Sequence, residues 1–85
     1  QVPELTEERR KQLVKVVRGL AEEGKVAIRN LRRDTLHDLR ELRDAGEAGS
    51  DDEHRAEEAL QKLTDEKTKE LDALLKSKEE EILEV

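Results

Sequence analysis

From Thr6 to Ala45 nothing in the chain breaks a helix, and its apolar and small residues recur at Leu13, Val17, Leu20, Gly24, Ile28, Leu31, Thr35, Leu39 and Leu42. The steps between them mix threes and fours and average close to the ~3.6 residues of an α-helical turn, which leaves no place for the alternation of a strand. Thr6 is suited to be the N-cap. Glu7 and Glu8 follow at the positive end of the helix dipole, and Gly46 offers a left-handed stop after Ala45. The spacing predicts a helix over about 7–45, roughly 58 Å long at a rise of about 1.5 Å per residue.

Gly46-Glu47-Ala48-Gly49-Ser50 reads as a short turn, of the kind that joins antiparallel neighbours in helical bundles. Ser50-Asp51-Asp52-Glu53 then has the form of a capping box, with the serine hydroxyl accepting from a free backbone N–H and Glu53 reaching back. A second helix is expected over about 51–84, with a stripe at Ala56, Leu60, Leu63, Lys67, Leu71, Leu74, Lys78, Ile82 and Val85. The two lysines must run their methylenes along the stripe and lift their ammonium groups to water. Before the first helix, Val2-Pro3 reads as extended chain. Composition agrees with this reading: over half of the 85 residues are Ala, Glu, Lys, Leu or Arg, and no Phe, Tyr or Trp is present, so a sheet has little to be made from.

The expected fold is therefore all-α, two long antiparallel helices forming part of an up-down three-helix bundle, in a single partial domain over 1–85. Each helix presents an apolar stripe about 100° wide, and two such stripes facing one another leave a seam open to water. A third helix, from another part of the parent protein or from another chain, is the expected cover. Pairing of two hairpins is the alternative.

Several function classes lack their residues. Without cysteine there is no disulfide, thiolate metal site or thiol nucleophile. The longest apolar runs are two or three residues, too short for a secretory signal or a spanning helix, so the chain reads as soluble. His37 and His54 stand alone on polar faces, without the spacing of paired metal ligands. Glu79-Glu80-Glu81 supplies carboxylates but no cleft in which an acid and a base could be held at different pKa values. No glycine-rich phosphate loop is present, and Gly19 and Gly24 lie inside the first helix, where each costs ~1 kcal/mol relative to alanine. Gly24, on the stripe, suits a close approach of helices. No catalytic residue, metal or cofactor is expected.

The net charge of −6 hides an asymmetry: residues 1–45 carry 11 Lys and Arg against 9 Asp and Glu, and residues 46–85 carry 6 against 14. At about 100° per residue, Lys11, Lys15, Arg18, Lys25, Arg29, Arg32, Arg33, Arg40 and Arg43 share one sector of the first helix. Glu8, Glu23, Asp34, Glu41 and Asp44 gather on another flank. Charge runs on helices are more often plain solvated faces, but a face built for ion pairs along one helix mixes its signs, and this one largely sorts them. Arg29, Arg32 and Arg33 put three planar guanidinium forks over one patch, suited to phosphate oxygens. The absence of aromatics argues against stacking on splayed bases and for structured RNA read through backbone and shape. The candidate RNA-binding set is Arg29, Arg32, Arg33, Lys25, Arg18, Lys15 and Lys11.

The residues also carry a family resemblance. Val2-Pro3-Glu4-Leu5-Thr6-Glu7-Glu8-Arg9-Arg10-Lys11, the stretch Ala21-Glu22-Glu23-Gly24-Lys25-Val26-Ala27-Ile28-Arg29-Asn30-Leu31-Arg32-Arg33-Asp34, Gln61-Lys62-Leu63-Thr64-Asp65 and the closing Lys78-Glu79-Glu80-Glu81-Ile82-Leu83-Glu84-Val85 resemble the carboxy-terminal half of ribosome recycling factors. The likeness spans essentially the whole chain and is most specific from Val26 to Asp34. It implies a three-helix bundle with a small β domain inserted after a first, amino-terminal helix that this chain lacks. It also implies a bacterial cytoplasmic translation factor that lies along large-subunit ribosomal RNA after termination and splits the subunits with the GTPase elongation factor G. The GTP hydrolysis belongs to that partner. Family arginines that contact RNA map onto Arg29 and Arg32, with Arg33 beside them. The chain departs from the family at Glu4, where a second proline is usual, at Gly24, where alanine is frequent, and at Lys67 and Thr68, where an aromatic and an isoleucine are common. Two other readings compete: a structural helical hairpin or coiled-coil adaptor whose basic face is incidental, and a membrane-surface helix, which the lack of Trp and Phe disfavours.

Overall fold

The computed structural model describes residues 6–84; the extended entry expected at Val2-Pro3 and the stripe position at Val85 lie outside them. Two helices account for nearly all of the described chain: α1 (Glu7–Asp44) and α2 (Ser50–Leu83). They run antiparallel as a rod 63 × 18 × 15 Å, and the described residues contain no strand.

The termini of α1 form as their residues dictate. The Thr6 side chain accepts from the Arg9 N–H at 3.0 Å, with Glu7 and Glu8 in the first turn. At the other end Gly46 takes φ +75°. The Glu47 N–H donates to the Leu42 carbonyl at 2.9 Å and the Gly46 N–H to the Arg43 carbonyl at 3.0 Å, the paired bonds of a Schellman stop. Only the glycine tolerates that φ without strain.

The start of α2 differs from the expected capping box. Its N-cap is Gly49, extended at φ −81° and ψ 165°, and no side chain caps the helix. Ser50 is already its first residue. Glu53, instead of reaching back to the cap, is drawn across the turn to Arg43: Nη1 donates to Oε1 at 2.8 Å. That contact leaves the Glu53 side chain only 9% exposed. Its Oε2 is buried without a partner, so Arg43 is the group that offsets the cost of burying this carboxylate.

The seam between the helices sits at a different phase from the expected stripes. Val14 and Ala21 are the buried hydrophobic residues among those described. Half-buried around them are Val17, Gly24, Ile28, Leu36 and Leu39 on α1 and Leu60, Thr64, Thr68, Leu71, Leu75 and Ile82 on α2. Leu20, Leu31, Leu42, Leu63 and Leu74, all expected to face the partner helix, stand between 42% and 67% exposed; Thr35, Lys67 and Lys78 are exposed as well. At about 100° per residue, the buried row of α1 is rotated by roughly 50° from the expected stripe. The physical reason is width: the apolar arc is broader than one neighbour can cover, and the second helix takes the edge nearer the basic sector. The rest of the arc is left as an open apolar flank, including a groove lined by Ile28, Leu31, Thr35, Leu60, Leu63 and Thr64 and bordered by Arg32 and Lys67. A hairpin with so few buried residues is part of a bundle rather than a finished core.

Two threonines at the seam satisfy themselves within their own helix. Thr64 Oγ1 donates to the Leu60 carbonyl at 2.8 Å and Thr68 Oγ1 to the Thr64 carbonyl at 2.9 Å, so their methyl groups pack without an orphaned hydroxyl. Lys67 and Lys78 do not lie along a covered stripe; they stand at the surface and pair with Glu70 and Glu81, one turn on, each at 3.1 Å.

Candidate nucleic-acid interface

The basic sector of α1 is divided lengthwise by the seam. Its inner row, nearest α2, is engaged. Arg18 Nε meets Glu79 Oε1 at 2.6 Å, Lys25 Nζ meets Asp72 Oδ1 at 2.7 Å and Glu22 Oε1 at 3.8 Å, and Arg43 is held by Glu53 and Asp44. The Glu79 hydrogen bond, then its charge, raises Arg18 above the ordinary arginine value. Lys25 is likewise raised, chiefly by its hydrogen bond to Asp72, against an opposing effect of burial. Arg43 is raised by its hydrogen bond to Asp44 first and then by the charge of Glu53. These cations are spent on holding α2.

The outer row is unspent. Lys11, Lys15, Arg29 and Arg40 are exposed and make no ion pair among the described residues. Arg33, with a side chain 72% exposed, pairs among the described residues with its neighbour Asp34 alone, at 3.6 Å, a weak contact at a solvated surface. Arg32 stands between the rows. It is half-buried, and its Nη1 donates to the amide oxygen of Gln61 at 3.1 Å. A neutral amide fixes its position without cancelling its charge.

Of the seven residues singled out from the sequence, the structure thus groups Arg29, Arg32 and Arg33 in one accessible patch, with Lys11 and Lys15 further toward the amino-terminal end of the same helix. Arg18 and Lys25 are tied to carboxylates of α2. The cause is the acidic α2, whose Asp72 and Glu79 meet the flank of α1 that a single-helix projection shows as open. Gln61 was not anticipated; the matching seven-residue spacing of 18, 25 and 32 on one helix and 79, 72 and 65 on the other points to Asp65 opposite Arg32, and Gln61 lies one turn before it. Elsewhere, His37 and His54 each sit against a glutamate one turn on, Glu41 and Glu58, at 3.1 and 2.8 Å. Among the described residues no group of three or more His, Cys, Asp or Glu is placed to hold a metal ion, and no helix is long and apolar enough to cross a membrane.

The arrangement defines a class: a long helical hairpin, part of a bundle, with one cationic edge and one uncovered apolar edge. Comparison with known proteins supplies the family. The profile of the family described as "Ribosome recycling factor" matches residues 1–83. The chain is 56% identical over 84 residues to the ribosome-recycling factor of Rubrobacter xylanophilus and 52% identical over 84 residues to those of several Legionella pneumophila strains. Each alignment covers 99% of this chain and 45% of the relative. The chain belongs to the ribosome recycling factor family and spans a little under half the length of these relatives.

Proposed function

We propose that this chain is the RNA-docking helical part of a ribosome recycling factor, and that it binds large-subunit ribosomal RNA along the outer basic row of α1. It acts by binding, in the bacterial cytoplasm; bond-breaking chemistry in recycling belongs to the GTPase elongation factor G, with which the whole protein splits the subunits. The observation that carries this reading is the patch of Arg29, Arg32 and Arg33, whose charges are left uncancelled by α2 although α2 is strongly acidic and neutralises Arg18 and Lys25 in the same sector. Guanidinium forks spaced over one turn suit the phosphates of a folded RNA, and the absence of aromatic residues leaves backbone and shape as what is read.

The test is binding of the chain to large ribosomal subunits across a salt series. Steep weakening with salt is expected from the release of counterions. Arg29→Glu combined with Arg32→Glu is expected to abolish binding while the far-ultraviolet circular dichroism keeps its helical form. Binding that ignores salt, or survives the double reversal, refutes RNA docking. The open flank at Leu31 and Leu63 favours a second reading, a helical adaptor that captures a partner helix; loss of binding on Leu31→Glu with no effect of the arginine reversals would select it.

A further inference from the structure

Along the seam the two helices exchange charge every seven residues, about two turns. Arg18 pairs with Glu79 and Lys25 with Asp72. One step further, Arg32 on α1 comes level with Asp65 on α2, yet no ion pair joins them. Gln61 lies between. Its amide oxygen accepts from Arg32 Nη1 at 3.1 Å, and its amide nitrogen donates to Asp65 Oδ1 at 3.0 Å. The amide is thereby oriented from both ends, since the opposite flip would set its NH2 against the guanidinium and its oxygen against the carboxylate.

We propose that Gln61 is a positioning residue that holds Asp65 away from Arg32 and so leaves the Arg32 guanidinium oriented and available to a phosphate. This rests on the RNA-docking reading. The third rung of the ladder is interrupted at the level of the Arg29, Arg32 and Arg33 patch, and the two closed rungs lie toward the amino-terminal end of α1, where Arg18 and Lys25 hold the helices together. An interposed amide separates a cation with a structural task from one with a binding task on the same helix flank. A carboxylate in contact with Arg32 would compete with phosphate for the same fork.

The experiment uses the full chain and four variants, Gln61→Leu, Gln61→Glu, Asp65→Asn and Gln61→Leu with Asp65→Asn, titrated onto large ribosomal subunits over a potassium chloride series. Position 61 is exposed, and circular dichroism checks that helicity is kept. Gln61→Leu lets Asp65 close on Arg32, and Gln61→Glu supplies the carboxylate directly. Each is expected to weaken binding about tenfold and to make the slope of log affinity against log salt shallower by about 0.9, one phosphate contact. Asp65→Asn is expected to restore binding to the Gln61→Leu protein while changing the wild type about twofold or less, a coupling that general loss of negative charge does not produce. Equal gains from Asp65→Asn in both backgrounds, or wild-type binding by Gln61→Leu, overturn the proposal. Nitrogen-15 spectra of the Arg32 side chain provide a readout independent of RNA. The Nε resonance is expected to shift in Gln61→Leu and return on adding Asp65→Asn; the same resonance in all of these proteins overturns the inference. Absence of salt-dependent binding by the wild type refutes the docking reading and leaves this spectrum to decide the role of Gln61.

Discussion

Two glycines in α1 provide a paired measurement of how closely the helices approach. Glycine inside a helix costs ~1 kcal/mol relative to alanine, so an alanine substitution recovers that amount wherever the new methyl group has space. At Gly19 a Cβ meets nothing within 4 Å, and Gly19→Ala is expected to recover the full ~1 kcal/mol. At Gly24 the Cβ meets Leu71 Cδ2 at 3.0 Å and Cδ1 at 3.8 Å, against an optimum near ~3.5–4.0 Å between carbons. Leu71 must swing by a few tenths of an ångström. It is half-buried, and its atoms at the contact are the far end of a flexible side chain next to an open flank, so the adjustment costs about 0.5–1 kcal/mol, the lower part of the range for a side chain moved off its rotamer. Gly24→Ala is then expected to gain ~0–0.5 kcal/mol. For a chain of this size ~1 kcal/mol corresponds to about 4–8 °C in melting temperature, so thermal unfolding followed by circular dichroism at one protein concentration resolves the two. Equal gains at both positions would mean that α1 and α2 do not approach at Gly24. A loss of more than about 1 kcal/mol at Gly24 would mean that Leu71 is locked in place and the flank beside it is not open.

The open apolar flank is expected to make the isolated chain self-associate or unfold in part, with a melting temperature that rises with concentration; Leu31→Glu with Leu63→Glu should remove that dependence, and a cooperative melt of a monomer, unchanged on dilution, would refute it. Arg43→Ala leaves the buried Glu53 carboxylate without its cation and is expected to lower the melting temperature more than Arg33→Ala does, with recovery on adding Glu53→Gln; equal effects of the two arginine substitutions would count against the turn contact. The Lys25 rung has a defined pH window. Its pKa is raised above the ordinary 10.5, chiefly by the Asp72 hydrogen bond, so its stabilisation is fully present below that value and is lost as pH rises through the raised one. An alkaline loss of helicity that Asp72→Asn removes is expected, and a profile that Asp72→Asn leaves unchanged would show that the rung contributes nothing.

The parts of the fold legible in the sequence were those decided within one helix. Thr6, Glu7 and Glu8 begin α1 where their chemistry requires, and Gly46 stops it, because cap and stop involve neighbours along the chain. The phase of the seam was not legible from one helix. Leu20, Leu31 and Leu42 are as apolar as Val14 and Ala21, and which set faces α2 depends on which edge of a broad apolar arc the second helix covers. α2 lies on the edge where Asp72 and Glu79 meet Lys25 and Arg18, and the leucines of the other edge are left outside. Thr64 and Thr68 were hidden for a related reason, since their hydroxyls are satisfied by their own backbone and they pack as small apolar residues. In the candidate interface, residue type located the patch of Arg29, Arg32 and Arg33, whereas the engagement of Arg18 and Lys25 needed the second helix.

Gly24 and Leu71, Arg18 and Glu79, and Lys25 and Asp72 all close the rod along the same line, and they leave its greasy margin and its cationic margin on opposite sides. Whatever completes the bundle can therefore seat itself on the leucines without covering Lys11, Lys15, Arg29 or Arg33, and it meets the basic row at Arg32, which also lines the groove.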